Sequence, residues 1–209
     1  MKVLWGIALC SGAALWLGAS TATGATLSFG CISNTIAGDC AIGEGQLTAE
    51  VTDAGGGQVL FSFHNAGPAD SSIADVYFDD GSLLSIAIII NSIGVSFSQF
   101  ATPGNLPAAN NASPPFVTTT GFSADSDSPV QPNGVNPGEV LGIQFNLQGG
   151  QTFNDVLADL ANGTLRVGLH VQGYATDGSE SFVNAPEPAT LVLSGLVIAA
   201  LAGARLRRA

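Results

Sequence analysis

Two histidines, His64 and His170, are the side chains of this chain best suited to act as general bases near neutral pH. Each lies on the polar side of an alternating run, where a histidine faces solvent or makes a structural hydrogen bond. Neither is accompanied by a Gly-x-Ser-x-Gly, a His-Glu-x-x-His or a phosphate-binding loop. We therefore predict that the chain is not an enzyme, and a hydrolase that uses His170 is the less favoured alternative.

Aspartates around one predicted turn offer a different chemistry. Asp75, Asp79 and Asp80 flank the turn, and Asp125 and Asp127 alternate in a later loop. Their carboxylates are the hard oxygen ligands that Ca²⁺ prefers, although neither segment is an EF-hand loop. One hypothesis is therefore a calcium site at the first three residues, and the simpler one is that these are exposed turn residues. No other cofactor is expected. Such pairs would also suit a glycosidase, but a sequence does not show the separation of two acids.

Two cysteines, Cys31 and Cys40, lie nine positions apart in a segment rich in small and polar residues. We predict a disulfide between them, which would contribute roughly 2 to 3 kcal/mol by closing a short loop. The alternative, a metal pair, lacks nearby ligands to complete a four-coordinate site.

The charge balance is strongly acidic. Of the sixteen acidic residues only Glu187 lies among the last 25 positions, and Arg166 is the one lysine or arginine between the two ends of the chain. The region between the ends therefore carries a net charge of about −14. Such a surface repels phosphates and anionic lipid headgroups, so nucleic acid is excluded as a partner.

The N-terminus has the pattern of a secretory signal peptide, which we assign to residues 1–25. Lys2 precedes an apolar stretch over residues 3–17, and small residues follow it. The small residues offer signal-peptidase sites after Ala22 or after Ala25.

The last 25 residues, 185–209, consist of three blocks. Pro186, Glu187 and Pro188 come first, an apolar run over residues 189–204 follows, and Arg205, Arg207 and Arg208 end the chain. As a helix the apolar run spans roughly 24 Å, shorter than the roughly 30 Å hydrocarbon core of a bilayer. The arginines would stay on the cytoplasmic side, which leaves the preceding residues outside the inner membrane.

These three blocks in this order resemble the PEP-CTERM sorting signal. The resemblance implies recognition by an exosortase-type membrane protease in a Gram-negative bacterium. It also implies a passage through the inner membrane, then a location in the periplasm, at the cell surface or outside the cell, and a link to exopolysaccharide and biofilm. An ordinary single-span anchor is the alternative interpretation of the tail.

The body, residues 26–184, alternates apolar and polar residues in many short runs that are typical of strands. Residues 101–138 hold seven of the ten prolines and are predicted as irregular loops, with one short edge strand at 116–120. One helix is predicted, because Phe153, Val156, Leu157 and Leu160 follow a helical period after a capping Thr152. We predict a mainly β fold, a two-layer antiparallel β-sandwich of jelly-roll-like plan with one short packed helix.

Two roles for the body compete with the hydrolase. The first is a non-enzymatic envelope or extracellular-matrix protein, which two sorting segments around a body without catalytic motifs favour. The second is a carbohydrate-binding module, with or without a dependence on calcium, in which aromatic side chains stack on sugars. The candidate aromatic residues are Tyr77, Phe116, Phe122 and Tyr174.

Overall fold

The structure, a computed structural model, describes residues 24–185, and this part of the chain is built mainly from ten strands. They are β1 Gly24–Cys31, β2 Leu47–Gly55, β3 Gln58–Asn65, β4 Ser72–Asp79, β5 Leu83–Asn91, β6 Phe97–Gln99, β7 Ser123–Ser126, β8 Val140–Leu147, β9 Arg166–Gln172 and β10 Glu180–Asn184. The helices are α1 Asp39–Gln46, α2 Val130–Asn133 and α3 Phe153–Asn162, with a 3₁₀ turn at Ala109–Asn111.

All strand pairs are antiparallel and form one sheet in the order β5-β8-β3-β2-β1-β10-β9-β4-β7-β6. Strand β1 belongs to both halves, because its first residues pair with β2 and its last three pair with β10. The two end strands approach each other where the Phe97 amide donates to the Asn91 side-chain oxygen at 3.0 Å. The prediction of a mainly antiparallel β fold is confirmed. One nearly barrel-like sheet replaces the two separate sheets of the jelly-roll-like plan.

The core lies between the two halves of this curled sheet. Along β3, every second side chain points inward, and Val59, Phe61 and Phe63 are fully buried. Phe61 from one half meets Phe78 from the other with ring centroids 5.1 Å apart, and Phe78 meets Phe145 at 4.6 Å, both edge to face. Edge-to-face pairs of this kind contribute roughly 0.5 to 1.5 kcal/mol each beyond their burial. The aromatic cluster therefore joins the two halves of the sheet.

Helix α3 is the helix that the sequence pattern predicts. The Thr152 side chain and the Asp155 side chain form a reciprocal capping box at its start. Its apolar stripe buries Phe153, Val156 and Leu160 against the core. Helices α1 and α2 were not expected, because neither has a regular apolar stripe. In α1, Gly43 packs so closely on the Phe182 ring that a Cβ there would lie 2.2 Å from it, so tertiary contact stabilises this helix.

Residues 101–122, which we call the covering segment, form an ordered layer on the outer face of the sheet. Their buried side chains make a second small core that also contains Tyr77 of β4. Gly168 of β9 allows the covering segment to lie close to the sheet, since a Cβ there would lie 2.8 Å from Leu106 and 3.2 Å from Phe116. The predicted edge strand at 116–120 is wrong, because Phe116 is instead a buried contact of this layer. The sheet gains its short strand later, as β7.

The two ends of the chain lie mostly outside the described residues. This holds for the signal peptide up to residue 23, for Pro186, Glu187 and Pro188, for the apolar run 189–204, and for Arg205, Arg207 and Arg208. Within residues 24–185, no helix has the length and apolarity needed to cross a membrane.

The position of β1 predicts which signal-peptidase site is used. Gly24 already pairs with Thr52, and Ala25 pairs with Val51. Cleavage after Ala25 would remove both pairings from the folded body, whereas cleavage after Ala22 keeps them. We therefore expect N-terminal sequencing of the exported protein to begin at Thr23. A start at Thr26 in most of the molecules would contradict this prediction.

Candidate functional site

The covering segment and the strands below it bring together most of the side chains that could do chemistry. Strands β9, β4 and β7 are neighbours in the sheet, although the chain does not connect them directly. They carry His170 and Arg166, Asp75 and Asp79, and Asp125, respectively. The sheet order, rather than closeness in the sequence, therefore forms this cluster.

His170 pairs with Asp75 at the centre of the cluster. The two residues are cross-strand partners, and the His170 Nδ1 lies 2.8 Å from the Asp75 Oδ2. Asp75 is 3% exposed, and its other oxygen, Oδ1, has no hydrogen-bond partner among the described residues. The pair therefore serves to hold β4 and β9 in register.

Asp125 lies on the other side of Asp75, as its cross-strand partner in β7. Burial is the larger cause and repulsion from the Asp75 carboxylate the next, and together they raise the pKa of Asp125 to about 6. The Thr102 amide of the covering segment donates to the Asp125 Oδ2 at 3.3 Å, which opposes the shift only in part. The carboxylates of Asp125 and Asp75 thus face each other across β7 and β4.

This arrangement predicts that Asp125→Asn stabilises the protein at alkaline pH. The folded pKa of about 6 lies above the ordinary value of 3.8, so the folded state binds the Asp125 proton more tightly. The stability that this tighter proton binding gives to the folded state is complete below about pH 4 and is lost as the pH rises through about 6. In urea unfolding, we expect the variant to exceed the wild type by ~1 kcal/mol at pH 8, after solvent screening, and to match it at pH 4.

Asp127→Asn is the matched control for this titration. Hydrogen bonds from the Ser96 and Ser98 hydroxyls lower the pKa of Asp127. The contribution of Asp127 to folding stability therefore changes with pH in the direction opposite to that of Asp125. Stability from a lowered pKa is present at alkaline pH and is lost on acidification. We therefore expect the control variant to be less stable than the wild type at pH 8. Equal stabilities of Asp125→Asn and the wild type at both pH values would contradict the raised pKa of Asp125.

Arg166 fastens the covering segment to the sheet. Its guanidinium forms an ion pair with Asp79 and donates to the carbonyl oxygens of Pro114 and Pro115 at 2.6 and 2.7 Å. The same group lies over the Phe116 ring, 5.3 Å from its centroid. One planar side chain therefore binds β4 and three consecutive residues of the covering segment. Sequence reasoning identified Arg166 as the one body cation but assigned it no role.

The three aspartates of the calcium hypothesis do not come together. Asp75 contacts His170, Asp79 contacts Arg166, and Asp80 accepts a hydrogen bond from the Gly81 amide within its own turn. Asp75 and Asp79 are four positions apart on one strand, which separates them by roughly 13 Å. The three carboxylates therefore do not form one cluster of ligands within residues 24–185, and calcium binding by them stays a prediction.

A second carboxylate, Glu180, was missed by the sequence analysis. Glu180 is 1% exposed and accepts hydrogen bonds from the backbone amides of Thr35 and Ile36, at 2.9 and 2.7 Å, and from the Ser33 hydroxyl. Burial raises its pKa, but these hydrogen bonds lower it more, so the pKa lies below its ordinary value. No sequence signal distinguishes Glu180 from a surface acid, because its partners are about 145 positions away.

The segment that Glu180 organises also contains the cysteines. The structure joins Cys31 to Cys40, with Cα atoms 5.4 Å apart. Within residues 24–185, these two sulfurs and Glu180 are the one group of three potential metal ligands lying within 4.8 Å of one another. Because the sulfurs are bonded to each other, they have no thiolate to offer, and the group stabilises the loop between β1 and α1.

The aromatic residues proposed for sugar stacking are buried. Tyr77, Phe116, Phe122 and Tyr174 are between 0 and 7% exposed, and each packs in a core. A sugar ring needs an exposed aromatic face, so these four residues do not provide one. His64 likewise lies within the sheet, on β3, and its Nε2 is buried with no hydrogen-bond partner among the described residues.

One cleft lies at the C-terminal end of the described residues. It has a volume of about 420 Å³ and is lined by the last residues of β10, the covering segment, the end of α3 and Arg166. The final described residue, Ala185, contributes to its wall and donates from its amide to the Ser28 carbonyl at 3.0 Å. The body is therefore ordered up to the residue before Pro186.

Residues 184–208 match the model of the PEP-CTERM protein-sorting motif. The chain carries a PEP-CTERM sorting signal. This signal implies processing by an exosortase-type system, with export and membrane-associated sorting followed by a surface or extracellular location. No curated protein and no solved structure matches the chain.

The PEP-CTERM signal begins within the last strand of the body. Asn184, the first matched residue, is 4% exposed, and its side-chain oxygen accepts a hydrogen bond from the Val167 amide at 2.7 Å. No linker therefore separates the sheet from the tripeptide that gives the motif its name.

Proposed function

We propose that the body is a non-enzymatic component of the extracellular matrix, delivered by the exosortase-type system and linked to exopolysaccharide. The observation that carries this proposal is the use of the reactive side chains. His170, Asp75, Arg166, Glu180 and the cysteine pair all bind other parts of the body. They fasten loops and strands together, as expected for a protein that has to remain folded outside the cell.

The charge of the body supports the same role. About fourteen net negative charges keep an exported protein soluble and keep it from anionic cell surfaces. The disulfide adds resistance to unfolding in an oxidising compartment. The body therefore has the properties of a durable extracellular structural protein.

The test is matrix fractionation in a bacterium that has an exosortase and produces exopolysaccharide. We expect the wild-type protein to remain with the polysaccharide fraction after cells are removed, and deletion of its gene to reduce the mass of that fraction. His170→Ala, which removes the one histidine of the cluster, is expected to leave matrix mass unchanged if the protein still folds. Recovery of the protein only as a free species in the medium, with the matrix unchanged by deletion, would reject the proposal.

A further inference from the structure

One neutral segment of this acidic body carries its exposed apolar side chains. Every residue of the stretch 81–124 is uncharged, and this stretch contains β5, β6 and the covering segment. The large hydrophobic side chains that are exposed within residues 24–185 all fall inside it: Leu84, Ile88, Ile90, Ile93, Phe100 and Val117. Apolar exposure concentrated in one stretch marks an interaction surface.

The centre of this surface is the edge strand β5. It is the first strand in the sheet order, and within residues 24–185 it pairs in the sheet with β8 alone. Strand β6 approaches its other side at Asn91, and the rest of that side has no ladder partner among these residues. The irregular positions of β5 lie in its first half, and Ile88–Asn91 pairs with β8 in a regular register. Natural edge strands are normally protected by charges, prolines, bulges or a very short length. Strand β5 has nine residues without a charge or a proline, and its irregular positions leave Ile88–Asn91 as a regular, unprotected edge.

The side chains of β5 present an apolar outer face beside that edge. Ile88 and Ile90 are 52% and 44% exposed and lie opposite Gln144 and Gly142. Gly142 leaves room for Ile90, since a Cβ at that position would lie 3.1 Å from the Cβ of Ile90. Ile88 and Ile90 therefore lie on one face of β5, beside its unpaired edge.

We propose that β5 is a self-association surface, on which a second copy of this chain pairs antiparallel with the first. The occupant follows from charge and shape. Two copies of the body, each with a net charge of about −14, repel each other over most of their surface. Residues 81–124 carry no charge, so two copies can meet at this segment without that repulsion. Antiparallel pairing of one strand with itself places the same residues on both sides of a two-fold axis, which closes the assembly as a dimer.

The dimer joins apolar faces as well as backbones. Ile88 and Ile90 of one copy come next to the same residues of the other copy, so the exposed isoleucines are removed from water. Strand pairing supplies the backbone hydrogen bonds, and the two isoleucines supply apolar contact. This self-association goes beyond the matrix role and does not depend on it, since it concerns the body alone.

Sedimentation velocity of the exported protein tests the proposal. We expect the sedimentation coefficient to become that of a dimer as the protein concentration is raised to about 100 µM. The double variant Ile88→Lys/Ile90→Lys is expected to raise the dimer dissociation constant by about 100-fold or more, because it places like charges opposite each other. The control Ala54→Lys/Ala161→Lys adds the same charge at two exposed positions outside residues 81–124 and is expected to remain dimeric.

A second measurement uses the wild type alone, in case the lysine variant does not fold. In amide hydrogen exchange, raising the protein concentration is expected to slow exchange within residues 83–91 and to leave β2 and β10 unchanged. A monomeric wild type at the highest concentration would overturn the proposal. So would a folded lysine variant that dimerises like the wild type, or exchange in residues 83–91 that does not depend on concentration.

Discussion

Arg166→Ala is expected to lower the free energy of unfolding by about 2 to 4 kcal/mol, because it removes an ion pair, two hydrogen bonds and a cation–π contact together. The side chains of Arg166 and Asp79 are 12% and 20% exposed, so water replaces the lost partners only in part. The carbonyl oxygens of Pro114 and Pro115 also lose their donor. Urea unfolding of the exported protein measures the change.

The loss is expected to be localised to the covering segment. Limited proteolysis should cut the Arg166→Ala variant within residues 101–122 before it cuts elsewhere, because that layer loses its fastening to β4 and β9. Arg166→Lys keeps the charge but not the planar fork, so we expect an intermediate loss. Asp80→Asn changes an exposed neighbouring turn and is expected to cost less than about 0.5 kcal/mol. An effect of Arg166→Ala as small as that of Asp80→Asn would show that Arg166 does not hold the layer.

Glu187→Ala is expected to leave a longer protein in the inner membrane. Proline has no backbone donor and disfavours the helical region at the residue before it, so the sequence predicts an extended tripeptide that would suit a protease groove. We expect the short apolar run to retain the chain only until cleavage near Pro186. In a host with an exosortase, intact-mass measurement should show that the mature wild-type protein lacks the residues after the motif.

The control for this processing is Glu50→Ala, which removes an exposed glutamate of β2 far along the chain from the signal. It is expected to be processed and released like the wild type. If most surface protein from such a host still contained Arg205, Arg207 and Arg208, the tail would be a lasting anchor rather than a temporary one. Equal processing of the Glu187→Ala variant would assign recognition to other residues of the tail.

Local patterns accounted for much of the fold. The alternation along β3 has the strand period of two, and the stripe of α3 has the helical period together with a cap at Thr152. Both patterns are complete within about ten neighbouring residues. Helix α1 and the covering segment were not predicted, because a disulfide, the Phe182 ring and the Arg166 side chain stabilise them from distant parts of the chain.

The sequence by itself determined the acidic character of the body, its export and its sorting signal. These properties depend on the number of charges or on the order of residues in a linear segment, so no tertiary contact is needed to recognise them. Only the tertiary structure decided that Asp75 meets His170 and Asp125, that Arg166 fastens a proline-rich layer, and that β5 is an edge. Those facts depend on the order of strands in the sheet, and strands that are distant in sequence pair through backbone groups that every residue type shares.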